Sequence, residues 1–304
     1  MYPDQKKKAE GEVPMRIGAL EAGGTKMVLG VFDEEGHLLE DTKMPTRSPA
    51  QTMPEIISWF QEKRIERLGI GTFGPVDLRK TSPDYGTITA TPKLDWRNYP
   101  MYSTLVEALQ IPCAIDTDVN AAALAECRLG AARGCENAVY VTVGTGIGAG
   151  VCVGGKPVHG LMHPEVGHML LRPNANDPLP GGICPYHESC LEGLASGPAI
   201  AKRAGTGAEN LPADDPVFTL EADYLAQMCV NLIVILSPEK IVIGGGVLGQ
   251  EHLMERIRKE TVRLLGGYIQ APEITARIES YIVLPALYPI SGLIGAWLLA
   301  RDEA

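Results

Sequence analysis

No segment of this 304-residue chain approaches the ~18 apolar residues that a membrane-spanning helix needs. The longest apolar stretch, around Cys229 to Leu236, is interrupted by Asn231. No apolar stretch follows the basic run Lys6-Lys7-Lys8 either, so the N-terminus reads as a solvated tail and not as a secretory signal. Cysteine is too sparse and odd in number for a disulfide framework: of seven, Cys113, Cys127, Cys135, Cys152 and Cys229 are scattered as inert thiols, and only Cys184 and Cys190 stand close together. Positive charge is short. With 27 Lys and Arg against 37 Asp and Glu the net charge is -10, which repels phosphate backbones and argues against nucleic acid as a partner. These absences together predict a cytoplasmic protein with neither membrane nor nucleic-acid partners. What remains, 45% hydrophobic and 21% charged residues, is ordinary for a soluble globular chain, and the length suits two domains better than one.

After an expected disordered leader at 1–14, Met15 to Leu20 reads as a strand and Met27 to Phe32 as a second. Between them lies Glu21-Ala22-Gly23-Gly24-Thr25-Lys26. A glycine loop that joins two strands is not a Walker loop, which needs a helix after it, so Lys26 is not a Walker lysine. Helical patterns follow over Pro54 to Arg64, Tyr102 to Gln110 and the alanine-rich Ala121 to Leu129; strands are expected at Arg67 to Gly71 and Cys113 to Asp116. Then the opening pattern recurs: a strand from Asn137 to Val143, the loop Gly144-Thr145-Gly146-Ile147-Gly148, and a return strand from Ala149 to Val153. Helices resume near Gly197, Lys240 to Ile243 is a strand ending in three glycines, and Gly292 to Ala300 is a closing helix. Alternating strands and helices with a repeated hairpin predict an α/β chain of two facing lobes around one ligand.

Four groups of residues carry chemistry. Gly23-Gly24-Thr25-Lys26 and Thr145-Gly146 sit in matching hairpin loops, where glycine leaves amides free to approach phosphate and threonine adds a hydroxyl. Asp118 lies at a strand end ahead of a helix, where a carboxylate can take a proton from a substrate hydroxyl or simply cap the helix; Asp116 is equally well placed. His168, Cys184, His187 and Cys190 offer four N and S ligands suited to a closed, structural, tetrahedral zinc site. Such a site would fix Glu165 and Glu192, three residues before His168 and two after Cys190, as acceptors for sugar hydroxyls. Finally Gly244-Gly245-Gly246-Val247 ends a strand where a flat ring or ribose can approach.

In this order these motifs resemble the ROK family (repressor, open reading frame, kinase) of sugar kinases, from about Met15 to the C-terminus. Gly74-Pro75-Val76-Asp77, Thr117-Asp118-Val119-Asn120, His163-Pro164-Glu165-Val166-Gly167-His168 and Cys184 to Gly193 complete the match. The resemblance implies a two-lobed actin-like ATPase (ribonuclease H-like) fold with a zinc-binding loop. Residues 15–124 with a C-terminal helix at 289–304 would form one lobe, and 125–288 the other. It implies Asp118 as catalytic base, and Gly74, Pro75, Thr117, Glu165, His168 and Glu192 around the sugar. Gly23, Gly24, Thr25, Lys26, Thr145, Gly146, Pro198, Gly244, Gly245, Gly246 and Val247 would hold ATP with its Mg2+, and zinc would sit on His168, Cys184, His187 and Cys190. Thr117, where many members have Asn, and the Cys-His-Cys run, where many have three cysteines, resemble the fructokinase branch, whose members are usually homodimers. Glucose, mannose and N-acetylmannosamine kinases share the scaffold, and a sugar-sensing relative without catalysis stands as the non-enzyme alternative.

Overall fold

In the computed structural model residues 15–302 are described, and the expected leader at 1–14 lies outside them. The chain lays down strands β1 (Ile17–Ala22), β2 (Lys26–Phe32) and β3 (Leu38–Pro45), helix α1 (Pro49–Lys63), strand β4 (Arg67–Thr72), helix α2 (Met101–Leu109), strand β5 (Cys113–Thr117) and helix α3 (Asp118–Arg128). These strands form a five-stranded sheet in the order β3-β2-β1-β4-β5. The second half gives β6 (Ala138–Val143), β7 (Ile147–Val153), β8 (Lys156–Pro157), α4 (Leu191–Ala195), α5 (Gly197–Ala204), α6 (Val217–Leu236), β9 (Lys240–Gly244), α7 (Glu251–Leu265), α8 (Pro272–Thr275), α9 (Ile278–Tyr281), β10 (Ile282–Val283) and α10 (Ser291–Asp302). Its sheet runs β10-β9-β6-β7-β8.

The two sheets have the same plan. In each, three strands meander antiparallel (β1–β2–β3 and β6–β7–β8), and two parallel strands extend the other side (β4, β5 and β9, β10). The repeated strand–glycine loop–strand pattern in the sequence is thus the trace of a duplicated sheet, and the fold is the expected two-lobed actin-like α/β arrangement. Central strands such as β1 and β9 are apolar at nearly every position because helices cover both faces. Edge strand β3, Leu38-Leu39-Glu40-Asp41-Thr42-Lys43-Met44-Pro45, is mostly exposed, and its charges blunt a free edge. That charge hid it from a hydrophobic-pattern reading.

Helices α3 and α10, which follow the last strand of each sheet, pack on one another at the centre of the molecule. The approach is close because small residues face each other: a Cβ on Gly295 would lie 1.8 Å from the Ala121 carbonyl oxygen. On its other side α3 meets β7, where a Cβ on Gly150 would lie 2.1 Å from the Val119 carbonyl oxygen. The alanine-rich sequence of α3 is therefore the sequence of a helix wedged between two sheets. Trp297 of α10 stacks on Phe32 at 5.8 Å and donates from its ring nitrogen to the Asp33 carbonyl, closing the C-terminus onto the first sheet.

Three sequence expectations change. The glycine loops are shorter than read, Gly23–Thr25 and Gly144–Thr145–Gly146, because Glu21 and Ala22 complete β1 while Ile147 and Gly148 belong to β7. Helix α3 begins at Asp118 and not at Ala121. Helix α6 is, at 20 residues, long and apolar enough to cross a membrane by length and composition, contrary to the expectation of no such segment. It is apolar because most of it is buried against β-sheet and α7: Phe218, Tyr224, Leu225, Ala226, Met228 and Cys229 are fully enclosed.

Candidate active site

Strand β5 delivers Asp118 to the cleft side of the first sheet. Thr117, not Asp118, caps α3: its hydroxyl oxygen accepts from the Asn120 amide at 3.0 Å. Asp118 is the first helical residue, and its carboxylate accepts from the Val119 amide at 2.9 Å. Burial, helped by the nearby charges of Glu21 and Glu165, pushes this carboxyl up to about 7 against the opposing pull of that amide. Asp116 is different. One of its oxygens accepts from the Thr117 amide and the Asn120 side chain, both at 2.7 Å, and the other pairs with His159 Nε2 at 2.8 Å. It is 2% exposed and spent on holding the strand end. Of the two aspartates left open by the sequence, Asp118 is the one the fold does not consume.

The loop between β1 and β2 is tied at Gly23, whose amide donates to the Lys26 carbonyl at 3.0 Å and whose carbonyl accepts from the Thr46 hydroxyl at 2.7 Å. Thr25 and Lys26 stay exposed. Beside this loop Glu21, given no role in the sequence reading, lies with its carboxyl against Gly292 and accepts from the Leu293 amide in the first turn of α10. Burial raises its pKa, and Lys26 and Lys43 oppose the rise. An acidic residue inside an otherwise apolar strand was the signal available for it.

The second hairpin loop faces the first residues of α5. The Gly144 amide donates to the Gly146 carbonyl at 2.9 Å, and the Gly144 carbonyl accepts from Gly197 at 2.8 Å. A Cβ on Gly197 would lie 3.7 Å from Val247, and Pro198 occupies the first turn of α5. Gly245, directly after β9, has φ +96, a backbone suited to glycine, with its α-carbon packed against Val143. Thr145-Gly146, Pro198 and Gly244 to Val247, distant in sequence, are thereby neighbours.

Across from them, the Val76 amide after Gly74-Pro75 donates to His163 Nε2 at 3.2 Å, while His163 Nδ1 lies 3.4 Å from Glu165. Burial lowers the His163 pKa, so the ring is neutral; with Nε2 accepting, its proton sits on Nδ1. His163 thus ties the Gly74-Pro75-Val76 turn to the segment that carries Glu165, a job its place in His163-Pro164-Glu165 did not reveal. Glu165, more than a third exposed, is pushed up to about 7 by desolvation and by Glu192. Glu192, in the first turn of α4, accepts from the Ile147 amide at 2.9 Å.

His168, Cys184, His187 and Cys190 come together with their ligand atoms all within 4.8 Å of one another. The sulfur-to-Nδ1 distances are 4.0 Å (Cys184–His168), 3.7 Å (Cys184–His187) and 3.8 Å (Cys190–His168). Edges of about 3.5 Å are what zinc bonds of ~2.3 Å to S and ~2.0 Å to N give in a tetrahedron, so the quartet fits that ion. Backbone bonds from Leu171 to Ser189 and from Leu191 to Met169, both 2.9 Å, hold the two stretches side by side. A separate surface groove of about 610 Å³, lined by Ser48, Met53, Ile57, Asp95, Tyr99 and Thr104 among others, contains none of these residues and is not the site.

A sequence model described as "ROK family" matches residues 17–303. A fructokinase from Pediococcus pentosaceus is 41% identical over 287 residues, covering 94% of this chain and 98% of that protein. Among solved structures, the ROK hexokinase from Thermus thermophilus superposes with a TM-score of 0.76 at 31% identity, over 95% of this chain and 99% of that one. The ROK family glucokinase from Streptomyces griseus in complex with glucose and AMPPNP gives 0.76 at 27% identity, over 94% and 99%. Duplicated sheets, paired glycine hairpins and the grouped carboxylates Asp118, Glu165 and Glu192 agree with these matches from end to end: the chain belongs to the ROK family.

Proposed function

We propose that this chain is an ATP-dependent fructokinase, converting fructose and ATP to fructose 6-phosphate and ADP, with Asp118 as general base. The observation that carries the reading is Asp118 itself: a carboxylate free of structural duty, beside the glycine hairpins, with a pKa of about 7. That value suits a group that must accept a proton near neutrality. The similarity to fructokinases, such as that of Pediococcus pentosaceus, selects the hexose.

In this reading Glu165, His168 and Glu192 bind hydroxyls of the sugar, with Gly74, Pro75 and Thr117 closing its other side. Gly23 to Lys26 and Thr145-Gly146 hold the phosphates through backbone amides, and Pro198 with Gly244 to Val247 flanks the adenosine. The Glu21 carboxylate suits the hard Mg2+ that travels with ATP and neutralises its phosphates, which leaves Asp118 free to act as base. Asp118 accepts the proton of the 6-hydroxyl as that oxygen attacks the γ-phosphorus and the bond to the β-phosphate oxygen breaks. Zinc on His168, Cys184, His187 and Cys190 would supply fold energy to the loop and no chemistry, since all four positions are taken by protein. Residues 15–124 with the C-terminal helix form one lobe and 125–288 the other, and their closure excludes water. The enzyme works in the cytoplasm as a homodimer.

The test is ADP release by the purified chain with ATP and a panel of hexoses. Fructose should exceed glucose, mannose and N-acetylmannosamine by at least about tenfold in kcat/KM, the range one pocket contact provides. A preference for any of the other three would reassign the substrate and keep the kinase; no turnover with any of them would remove the enzyme reading.

A further inference from the structure

We propose that Lys93 is a catalytic residue of this site, its ammonium binding the phosphoryl group in transfer above the first glycine hairpin; the proposal rests on the kinase reading. Lys93 lies outside every motif that the sequence singles out. Yet its Cε sits 3.3 Å from where a Cβ on Gly24 would be, so its stem lies across the backbone of the loop between β1 and β2. A glycine there leaves the room.

The root of this side chain is fixed. The Lys93 amide donates to the Thr91 hydroxyl at 3.3 Å, and its carbonyl accepts from the Trp96 amide at 2.9 Å. Thr91 and Trp96 are each 1% exposed, and the Trp96 ring nitrogen donates to the Arg47 carbonyl at 2.8 Å. The same segment is tied to Gly74-Pro75, because the Thr89 amide and hydroxyl both donate to the Pro75 carbonyl, at 2.7 and 3.2 Å. Lys93 therefore projects from between the proposed hexose strand end and the proposed phosphate loop, where attacking oxygen and γ-phosphorus must meet.

Charge makes the same point. Lys26 and Lys43 act on the Glu21 carboxyl, and Lys93 is not among the charges that do. Among the described residues no carboxylate pairs with Lys93. A half-buried lysine without a carboxylate partner among the described residues, in a chain of net charge -10, has as its natural partner the anion that the reaction brings in. In the step, the hexose oxygen bonds to the γ-phosphorus, the bond to the β-phosphate oxygen breaks, the electron pair leaves on ADP and the hydroxyl proton goes to Asp118. Lys93 keeps its protons and holds the equatorial oxygens.

Lys93→Met and Lys93→Arg test this. With fructose and ATP, Lys93→Met should lose about 10²–10³-fold in kcat, the loss on removing one transition-state donor. Dissociation constants for fructose and for ATP, by titration calorimetry, should move less than about threefold, whereas affinity for fructose 6-phosphate should fall at least about tenfold. Lys93→Arg, which keeps the charge, should recover at least about tenfold in kcat. A Lys93→Met enzyme within about threefold of the parent in kcat overturns the proposal, as does a loss carried equally by fructose and ATP affinity or by a lowered melting temperature with Lys93→Arg no better. A parent enzyme that phosphorylates no hexose overturns the kinase reading instead, and the two failures are told apart by that control.

Discussion

The Glu192 carboxylate accepts a hydrogen bond from the Ile147 amide at 2.9 Å, and so couples the segment of the metal-ligand quartet to the second glycine hairpin. The coupling is close: a Cβ on Gly146 would lie 2.6 Å from the same carboxylate oxygen. In the proposed reading Glu192 therefore answers to both hexose and ATP. Glu192→Gln preserves an acceptor for Ile147, so it should weaken mainly the hexose, raising its KM about tenfold. Glu192→Ala also frees the hairpin and should cost about 1.5–3 kcal/mol in kcat/KM, roughly 10–150-fold, with the KM for ATP rising too. Steady-state kinetics with each substrate varied in turn separates the two; an ATP KM untouched in Glu192→Ala would show that the hairpin does not depend on this bond.

Metal removal should act along the same route. The purified chain is expected to carry about one zinc per protomer by elemental analysis, the content of a closed four-ligand site. Stripping it with a strong chelator, or replacing Cys184 with Ser, should lower the melting temperature and raise the KM for fructose at least about tenfold, because Glu165 and Glu192 lose their anchor. Added zinc should restore the chelated enzyme and not Cys184→Ser. Full activity in zinc-free protein would separate the quartet from the sugar.

Asp118 sets a pH dependence whose sign is fixed. A base with a pKa of about 7 is protonated below that value, so kcat should fall about tenfold per pH unit on the acid side and level off above it. Asp118→Asn should lower kcat at least about 10²-fold and abolish this limb, while fructose still binds. Stability moves oppositely. The folded carboxyl titrates above an unfolded one of about 3.9, so between pH 4 and pH 7 the native state holds the extra proton and stability declines as pH rises. Glu165 and Glu21, also raised, contribute to the same decline; Asp118→Asn removes the share due to Asp118, and its melting temperature should exceed the parent's more at pH 8 than at pH 5. A parallel shift at both values would place the raised pKa elsewhere.

Much of this cleft was legible because its chemistry is written in runs: glycine beside threonine in a hairpin, or Cys184, His187 and Cys190 at close spacing. The duplication of the sheets could be seen from one repeated hairpin because hydrophobic runs mark buried strands. What stayed hidden depends on partners remote in the chain. Asp116 and Asp118 look alike until His159 and Asn120 claim the first. Glu21 gains meaning from Leu293 in the last helix, and Lys93 from Gly24 at the start. Strand β3 escaped because a charged edge strand carries no apolar alternation, and the full apolar length of α6 escaped because Asn231 and the polar residues of its first half break the run.

The crossing of α3 and α10 offers a test of how the site is positioned from a distance. Gly295 contacts no predicted substrate residue, but its α-carbon rests on the Ala121 carbonyl, one turn into the helix that Asp118 begins. With a Cβ 1.8 Å from that oxygen, Gly295→Ala cannot be accommodated without moving one helix away from the other. Overpacking of this kind typically costs about 1–3 kcal/mol, so the urea midpoint should fall with the slope unchanged. Because α3 is also pinned to β7 through Gly150, the displacement should be taken up at its N-terminus, and kcat should drop in the folded variant while ATP affinity holds. Ala121→Gly in the same chain should not rescue it, since the obstacle is a backbone oxygen and not the Ala121 methyl. A Gly295→Ala enzyme as stable and as fast as the parent would mean that the two helices separate freely, and that Asp118 takes its position from β5 alone.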